Sequence, residues 1–319
     1  MVDSGIARVV LKTDTFSVDV LPALGGKVAS MRKNGIELLQ QPLLPYAPRT
    51  LSSPFEESDA SGFDECLPSV SACEFNGVLG QVSIPDHGEF WRIPHDVVSA
   101  SDTEVRLAAT GTVLPLRLER RLRVASEPGG PKGDVLQIDY RLENTGSRTI
   151  QYAWSAHPLL AVEAGDRIHL PPGIETVMVE NSAGHRLGSN GKVHPWPFAQ
   201  LSSGEYTHLD CVGKESDGVG DKLFAAAPAG DGWCAIERNG AGLRVQVEFD
   251  PQRTPWLGLW LCYGGWPENK ARRQYCVALE PCTSPVDSLC QAIAASTARS
   301  LGPGQSDLWW IRIVTTVVS

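Results

Sequence analysis

Long hydrophobic runs are missing. No stretch of eighteen or more apolar residues occurs in the 319, which leaves no candidate for a membrane-spanning helix. A surplus of positive charge is missing too. Lys and Arg number 28 against 37 Asp and Glu, a net charge of −9. Basic patches of the kind that bind nucleic acid or an anionic membrane are therefore not expected. Cys-x-x-Cys, His-x-x-x-His and EF-hand spacings are absent, so the linear pattern offers no metal site. So are Gly-x-Ser-x-Gly, Gly-x-Gly-x-x-Gly and the Walker lysine motif, which removes support for serine-nucleophile chemistry, hydride transfer and phosphate cradling. The first thirty residues alternate rather than joining a charged segment to an apolar one. No secretory signal is expected, and a cytoplasmic location is. The eight cysteines, several inside apolar runs, read as reduced, buried thiols. Cys276 and Cys282 are near enough in sequence to approach one another.

Helix signals are scarce. Only 286–299 carries apolar residues three and four apart (Val286, Leu289, Ile293), and Gly302-Pro303-Gly304 ends it. What the sequence has in quantity is short alternating runs and turn residues, with Gly 31 and Pro 23. Strands are predicted over 6–11, 16–21, 27–31, 97–101, 104–112, 116–126, 135–143, 149–157, 167–170, 176–180, 233–238, 243–249, 257–263, 275–279 and 308–318. Asn34-Gly35 predicts a tight hairpin, because that pair tolerates positive φ at both central positions. Glu127-Pro128-Gly129-Gly130 predicts another turn. Residues 40–62 and 181–222 read as loop-rich. This pattern predicts an all-β fold of stacked antiparallel sheets. One domain over 1–319 is expected, since no boundary stands out.

Four stretches cluster polar and aromatic residues. They are Ser61-Gly62-Phe63-Asp64-Glu65-Cys66-Leu67-Pro68, Pro85-Asp86-His87-Gly88-Glu89-Phe90-Trp91, Tyr152-Ala153-Trp154-Ser155-Ala156-His157-Pro158, and Trp256 through Trp266 leading to Leu279-Glu280-Pro281. Strand alternation puts Trp256, Gly258 and Trp260 on one face, and Gly258 between two indoles leaves a gap wide enough for a ring. Indole faces suit the C–H surface of a sugar, although each tryptophan taken alone is more often a core residue. Glu280 at the end of an apolar run is expensive unless it has a partner. His87 and His157 read either as structural histidines or as proton carriers. Asp64 and Glu65 read either as loop charges or as groove ligands.

Taken in order, these segments resemble the aldose 1-epimerase, or galactose mutarotase-like, family. Leu21-Pro22-Ala23-Leu24-Gly25-Gly26-Lys27-Val28 and Asn34-Gly35-Ile36-Glu37-Leu38-Leu39 are similar to the family's opening hairpins. Asp86-His87-Gly88-Glu89 with Trp91 resembles its His-Gly segment, Ala156-His157-Pro158 its second histidine, and Leu279-Glu280-Pro281 with Asp287-Ser288-Leu289 its late glutamate segment. Leu301-Gly302-Pro303-Gly304 with Trp309 is similar to its final turn and strand. The resemblance implies a β-supersandwich of large antiparallel sheets with few short helices. It also implies cofactor-free interconversion of the α and β anomers of an aldose. Glu280 would be the base on the C1 hydroxyl and His157, protonated, the acid on the ring oxygen, with the two on opposite sides of the sugar ring. His87, Asp64, Glu65, Trp91, Trp154 and Trp260 are the expected sugar contacts. The family's Asn and Arg pair before the first histidine has no equivalent here. Arg49 and Arg92 are the arginines that a phosphorylated sugar would use. The expected partner is a small sugar, with the chain a monomer or homodimer and neither nucleic acid nor membrane involved. A non-catalytic sugar-binding protein and a glycoside-cleaving or lyase enzyme are the alternatives, the former without need of both His157 and Glu280, the latter needing a second carboxylate.

Overall fold

The computed structural model describes residues 5–126, 133–268 and 271–318. Two large antiparallel sheets account for most of it. The first has eleven strands. Its path runs Val9–Lys12, Phe16–Leu21, Lys27–Lys33, Phe63–Cys66, Ser155–Ala161, Tyr275–Cys282, Trp256–Tyr263, Val219–Ala225, Thr176–Ser182 and Val193–Pro195, with Ile36–Glu37 paired to Lys27–Lys33. The second has eight strands: Arg167–His169, Trp233–Arg238, Leu243–Phe249, Ser306–Val317, Asp134–Asn144, Leu116–Ser126, Glu104–Thr110 and Asp96–Ala100. Among the described residues no helix is long and apolar enough to cross a membrane.

The two sheets differ in how their residues are buried, and that difference positions the site. Strands of the eight-stranded sheet alternate. Leu116, Leu118 and Leu122, Ile138 and Leu142, and Ile311 and Ile313 point inward, as does Arg120, while Arg117, Glu119, Arg121, Asp139, Arg141 and Arg312 lie on the outer face. The central strands of the eleven-stranded sheet are buried on both faces. Leu160, Val277, Leu279, Leu259 and Leu261 join the core between the sheets. Their neighbours Leu159, Cys262, Cys276 and Ala278 form a separate apolar patch on the other face. Loops cover that second face, so polar residues placed there are removed from bulk water.

The expected architecture is the observed one, with local corrections. The Asn34-Gly35 turn has φ of +50° and +81°, as a tight hairpin requires. The helix expected over 286–299 is confined to Leu289–Ala294. Residues 149–157 form two strands, Ile150–Tyr152 and Ser155–Ala161, not one. The Phe63–Cys66 strand and the hairpin Cys73–Gly77 with Gly80–Ile84 were not expected. The 181–222 region contains three short strands and the start of a fully buried one, Val219–Ala225. The turn predicted at 127–130 lies outside the described residues. Cys276 faces Cys262 across neighbouring strands rather than Cys282, and all eight cysteines are free thiols.

Candidate active site

The covered face of the eleven-stranded sheet carries a groove of about 570 Å³, within the range of small-molecule sites. Its floor comes from the strands, through His157, Lys222, Trp260 and Glu280. Its walls come from loops, chiefly Phe55, Asp86, His87, Trp266 and Asp287, and from Glu180 of the Thr176–Ser182 strand. Strand register explains why residues so distant in sequence meet. Ser155 faces Cys282 and Leu159 faces Ala278, so counting inward places His157 opposite Glu280. Pro158 and Pro281 lie where that ladder is interrupted, and neither has an N–H to give it. On the far side of Glu280 comes Gly258, followed by Phe224.

Gly258 does not leave space for a ligand. A methyl group there would lie 3.2 Å from both Glu280 Oε2 and the Phe224 ring. The missing side chain instead lets Lys222 and Glu280 reach each other and form a buried ion pair. Lys222 is also 3.5 Å from Asp287. Nothing in the sequence reading singled out this lysine.

His157 Nε2 lies 3.8 Å from Glu280 Oε1. The two are neighbours on one floor, not groups facing each other across a ring. That arrangement suits the hydroxyl oxygen and the ring oxygen of an anomeric centre, which are bonded to one carbon. Glu280 Oε1 and His157 Nδ1 are buried and have no hydrogen-bond partner within the protein. Burial pushes the Glu280 carboxyl up, and Lys222 pulls it back. Burial opposes the Lys222 charge, but Asp287 and Glu280 outweigh it and hold the ammonium protonated. Burial, reinforced by His87, Lys222 and Lys27, pushes His157 well below the ordinary histidine value. The resting imidazole is therefore neutral, which corrects the expectation of a protonated one.

His87 closes the groove from the Pro85–Gly88 turn. Its φ of +59° is a conformation that few residues with a Cβ adopt. The ring stacks on Phe55 at 3.9 Å and meets the His157 ring edge-on at 5.3 Å. Asp86 holds its Nδ1 at 2.8 Å.

No family model matches the sequence, and neither does any curated protein. Solved structures do match. A provisionally named aldose 1-epimerase of Escherichia coli K12 superposes with a TM-score of 0.71 at 16% identity, over 98% of this chain and 99% of that one. A galactose mutarotase related enzyme from Lactobacillus acidophilus gives 0.66 at 12% identity, over 98% of both chains. A galactose mutarotase-like protein from Clostridium acetobutylicum gives 0.65 at 14%, over 97% and 95%. The chain has the galactose mutarotase-like fold.

Within this mutarotase-like frame the expected sugar contacts divide. His87 and Trp260 line the groove. Trp260 donates its N–H to Gln274 at 2.9 Å and leaves part of its ring accessible. The other four lie behind the groove wall. Glu65 points into the core, where it accepts from Arg120 at 2.8 Å, Tyr140 at 2.9 Å and Trp154 Nε1 at 2.8 Å. Trp154 packs between Tyr140 and Trp309, with ring centres 5.1 Å away in each case. Trp91 is sandwiched by Arg49 and Arg92 and buttresses Phe55. Asp64 is fully engaged by Lys27 and Arg49. Their polar atoms are satisfied by the protein, which is why they are not groove ligands.

The opening Gly25-Gly26-Lys27 motif serves the same scaffold. Gly26 has φ +62°, and a Cβ there would fall 2.0 Å from Arg120, which donates to the Gly25 and Gly26 carbonyls. Lys27 then enters a buried cluster with Asp59 at 2.9 Å and with Asp64, and Arg49 joins it. Burial alone would raise the Asp59 carboxyl, but Lys27 and Arg49 bring it down from 3.8 to about 2. A depressed carboxyl stabilises the fold above its unfolded value and loses that contribution as pH falls through its folded one. Urea unfolding is therefore expected to lose roughly 2 kcal/mol from this group between pH 4 and pH 2. Asp59→Asn should flatten that part of the profile. An unchanged acid slope in the variant would contradict the assignment.

Proposed function

We propose that the chain is an aldose 1-epimerase-like enzyme that interconverts the α and β anomers of a free aldose. The observation that carries the reading is the His157–Glu280 juxtaposition at 3.8 Å on the floor of a sugar-sized groove. Glu280 Oε1 takes the C1 hydroxyl proton. As the C1–ring oxygen bond breaks, an imidazole N–H of His157 meets the charge developing on that oxygen and delivers a proton. The proton count balances because the proton gained by Glu280 crosses the short gap to the imidazole. The ring then recloses on the other face. Burial favours such a carboxylate as a base, since it lifts proton affinity toward neutral pH.

The groove favours an uncharged substrate. Arg49 is tied to Asp59 and the Trp91 carbonyl, and Arg92 to the carbonyls of Ser53, Asp86 and Gly88. Neither lines the groove, while Glu56, Asp86, Glu180 and Asp287 do. These carboxylates would repel a phosphate group.

The test is α–β exchange of a panel of aldoses and aldose phosphates, followed by NMR with the full-length chain in metal-free buffer. Exchange accelerated for at least one free aldose supports the reading, and none accelerated ends it. Trp260→Ala should weaken saccharide affinity about 3- to 10-fold, the value of an aromatic contact, with little change in melting temperature. A large loss of stability at unchanged affinity would make Trp260 a packing residue instead.

A further inference from the structure

Cys66 lies beneath the groove and takes no part in the chemistry above. It faces Ser155 across neighbouring strands, two residues from His157 in the same register, so Cys66 and His157 share a face of the sheet. Its sulphur and one ring nitrogen each of His87 and His157 lie within 4.8 Å of one another. Linear spacing concealed this set, because its members come from two strands and a turn.

Three features beyond proximity point to a cation. The donor set is one thiol and two imidazoles, the softness that selects zinc over magnesium or calcium. Asp86 holds His87 Nδ1 at 2.8 Å and leaves Nε2 as that ring's available nitrogen, the carboxylate–histidine support that metal-bound imidazoles commonly have. His157 is 94% buried (6% exposed) with Nδ1 lacking any partner, and a buried orphan of this kind calls for an explanation such as an ion. A tetrahedral zinc ion bound at about 2.0–2.3 Å sets its ligand atoms roughly 3.5 Å apart. Modest side-chain rotation closes the set.

We propose that Cys66, His87 and His157 form a Zn²⁺ site whose fourth position opens to the groove. On binding, a zinc–sulphur bond replaces the Cys66 S–H bond and the proton passes to water, with no change of oxidation state. An ion bound there occupies a His157 nitrogen. Zinc is accordingly expected to inhibit anomer exchange, a consequence that rests on the proposed function, whereas the binding itself does not.

The test uses Co²⁺ as a spectroscopic probe on the metal-free, full-length chain, with Zn²⁺ affinity measured by calorimetry. One equivalent of Co²⁺ should produce thiolate-to-cobalt charge-transfer absorption and tetrahedral d–d bands, and Zn²⁺ should displace them. Cys66→Ala should abolish the charge-transfer band and weaken Zn²⁺ at least about 100-fold, and Asp86→Asn should weaken it about 10-fold or more through the supporting contact. Cys290→Ser should change nothing, although Cys290 and Cys73 form a neighbouring sulphur pair. Absence of the band, its persistence in Cys66→Ala, or its loss in Cys290→Ser would each overturn the site. Should Cys66→Ala fail to fold, Cys66→Ser must lose the band and Asp86→Asn must weaken Zn²⁺, and failure of either overturns the site equally. Exchange kinetics in metal-free buffer report separately on the enzyme assignment.

Discussion

Glu280→Gln is expected to slow anomer exchange by about 10²–10⁴-fold, and His157→Asn by a similar factor, each the usual worth of one positioned acid–base group. Glutamine keeps the shape and the contact with Lys222 but cannot take a proton. The residual rate should approach that of the uncatalysed reaction plus whatever positioning by Trp260 and His87 provides. Both groups act on one carbon, so the double variant should lose far less than the product of the two single effects. Melting temperatures measured beside the kinetics separate chemistry from folding. Lys222 retains Asp287 at 3.5 Å after Glu280→Gln, so its charge is not abandoned and the variant should fold. A wild-type exchange rate in either single variant would remove that residue from the proposed mechanism.

Much of the fold was legible because alternation survives wherever one strand face meets the core and the other meets water. The strands at 116–126, 135–143 and 243–249 are of that kind, and their observed limits differ from the expected ones by at most one residue. The groove-bearing strands are buried on both faces, and there the signal weakens. Val219–Ala225 shows the difficulty most clearly. Its centre reads Gly220-Asp221-Lys222, the composition of a turn, yet all seven residues are buried. Asp221 is satisfied by Ser182 and Arg186 and Lys222 by Glu280 and Asp287, partners that only the folded sheet supplies. A buried charge on such a strand is concealed in the sequence because its cost is offset by residues far along the chain. The expectation for Glu280 had the opposite fortune. Its position at the end of an apolar run was visible in the sequence, and the demand for a partner was correctly posed. Its partner lay in the region read as loop. The four misplaced sugar contacts share a cause: clustering of aromatic and charged residues marks a satisfied internal network as readily as a ligand site.

That internal network should be costly to break. Glu65 sits between the two sheets, fully buried, and carries the charge that neutralises Arg120 of the eight-stranded sheet. Burial pushes its carboxyl up, and Arg120, Trp154 and Tyr140 pull it back. Glu65→Ala leaves a guanidinium without its counter-charge and two buried N–H or O–H donors unsatisfied. The expected loss is about 3–5 kcal/mol, which urea unfolding would measure directly. Removing both charges is a different experiment. Glu65→Leu with Arg120→Met deletes the desolvation cost together with the attraction, so the pair should lose less than Glu65→Ala alone. Arg120 also donates to the Gly25 and Gly26 carbonyls at 3.0 and 2.6 Å, and Tyr140 and Trp154 lose their acceptor in both variants, so the double variant should still fall short of wild type. A Glu65→Ala variant within about 1 kcal/mol of wild type would show that water reaches Arg120. In that event the carboxylate would not be the tie that joins the groove-bearing sheet to its partner.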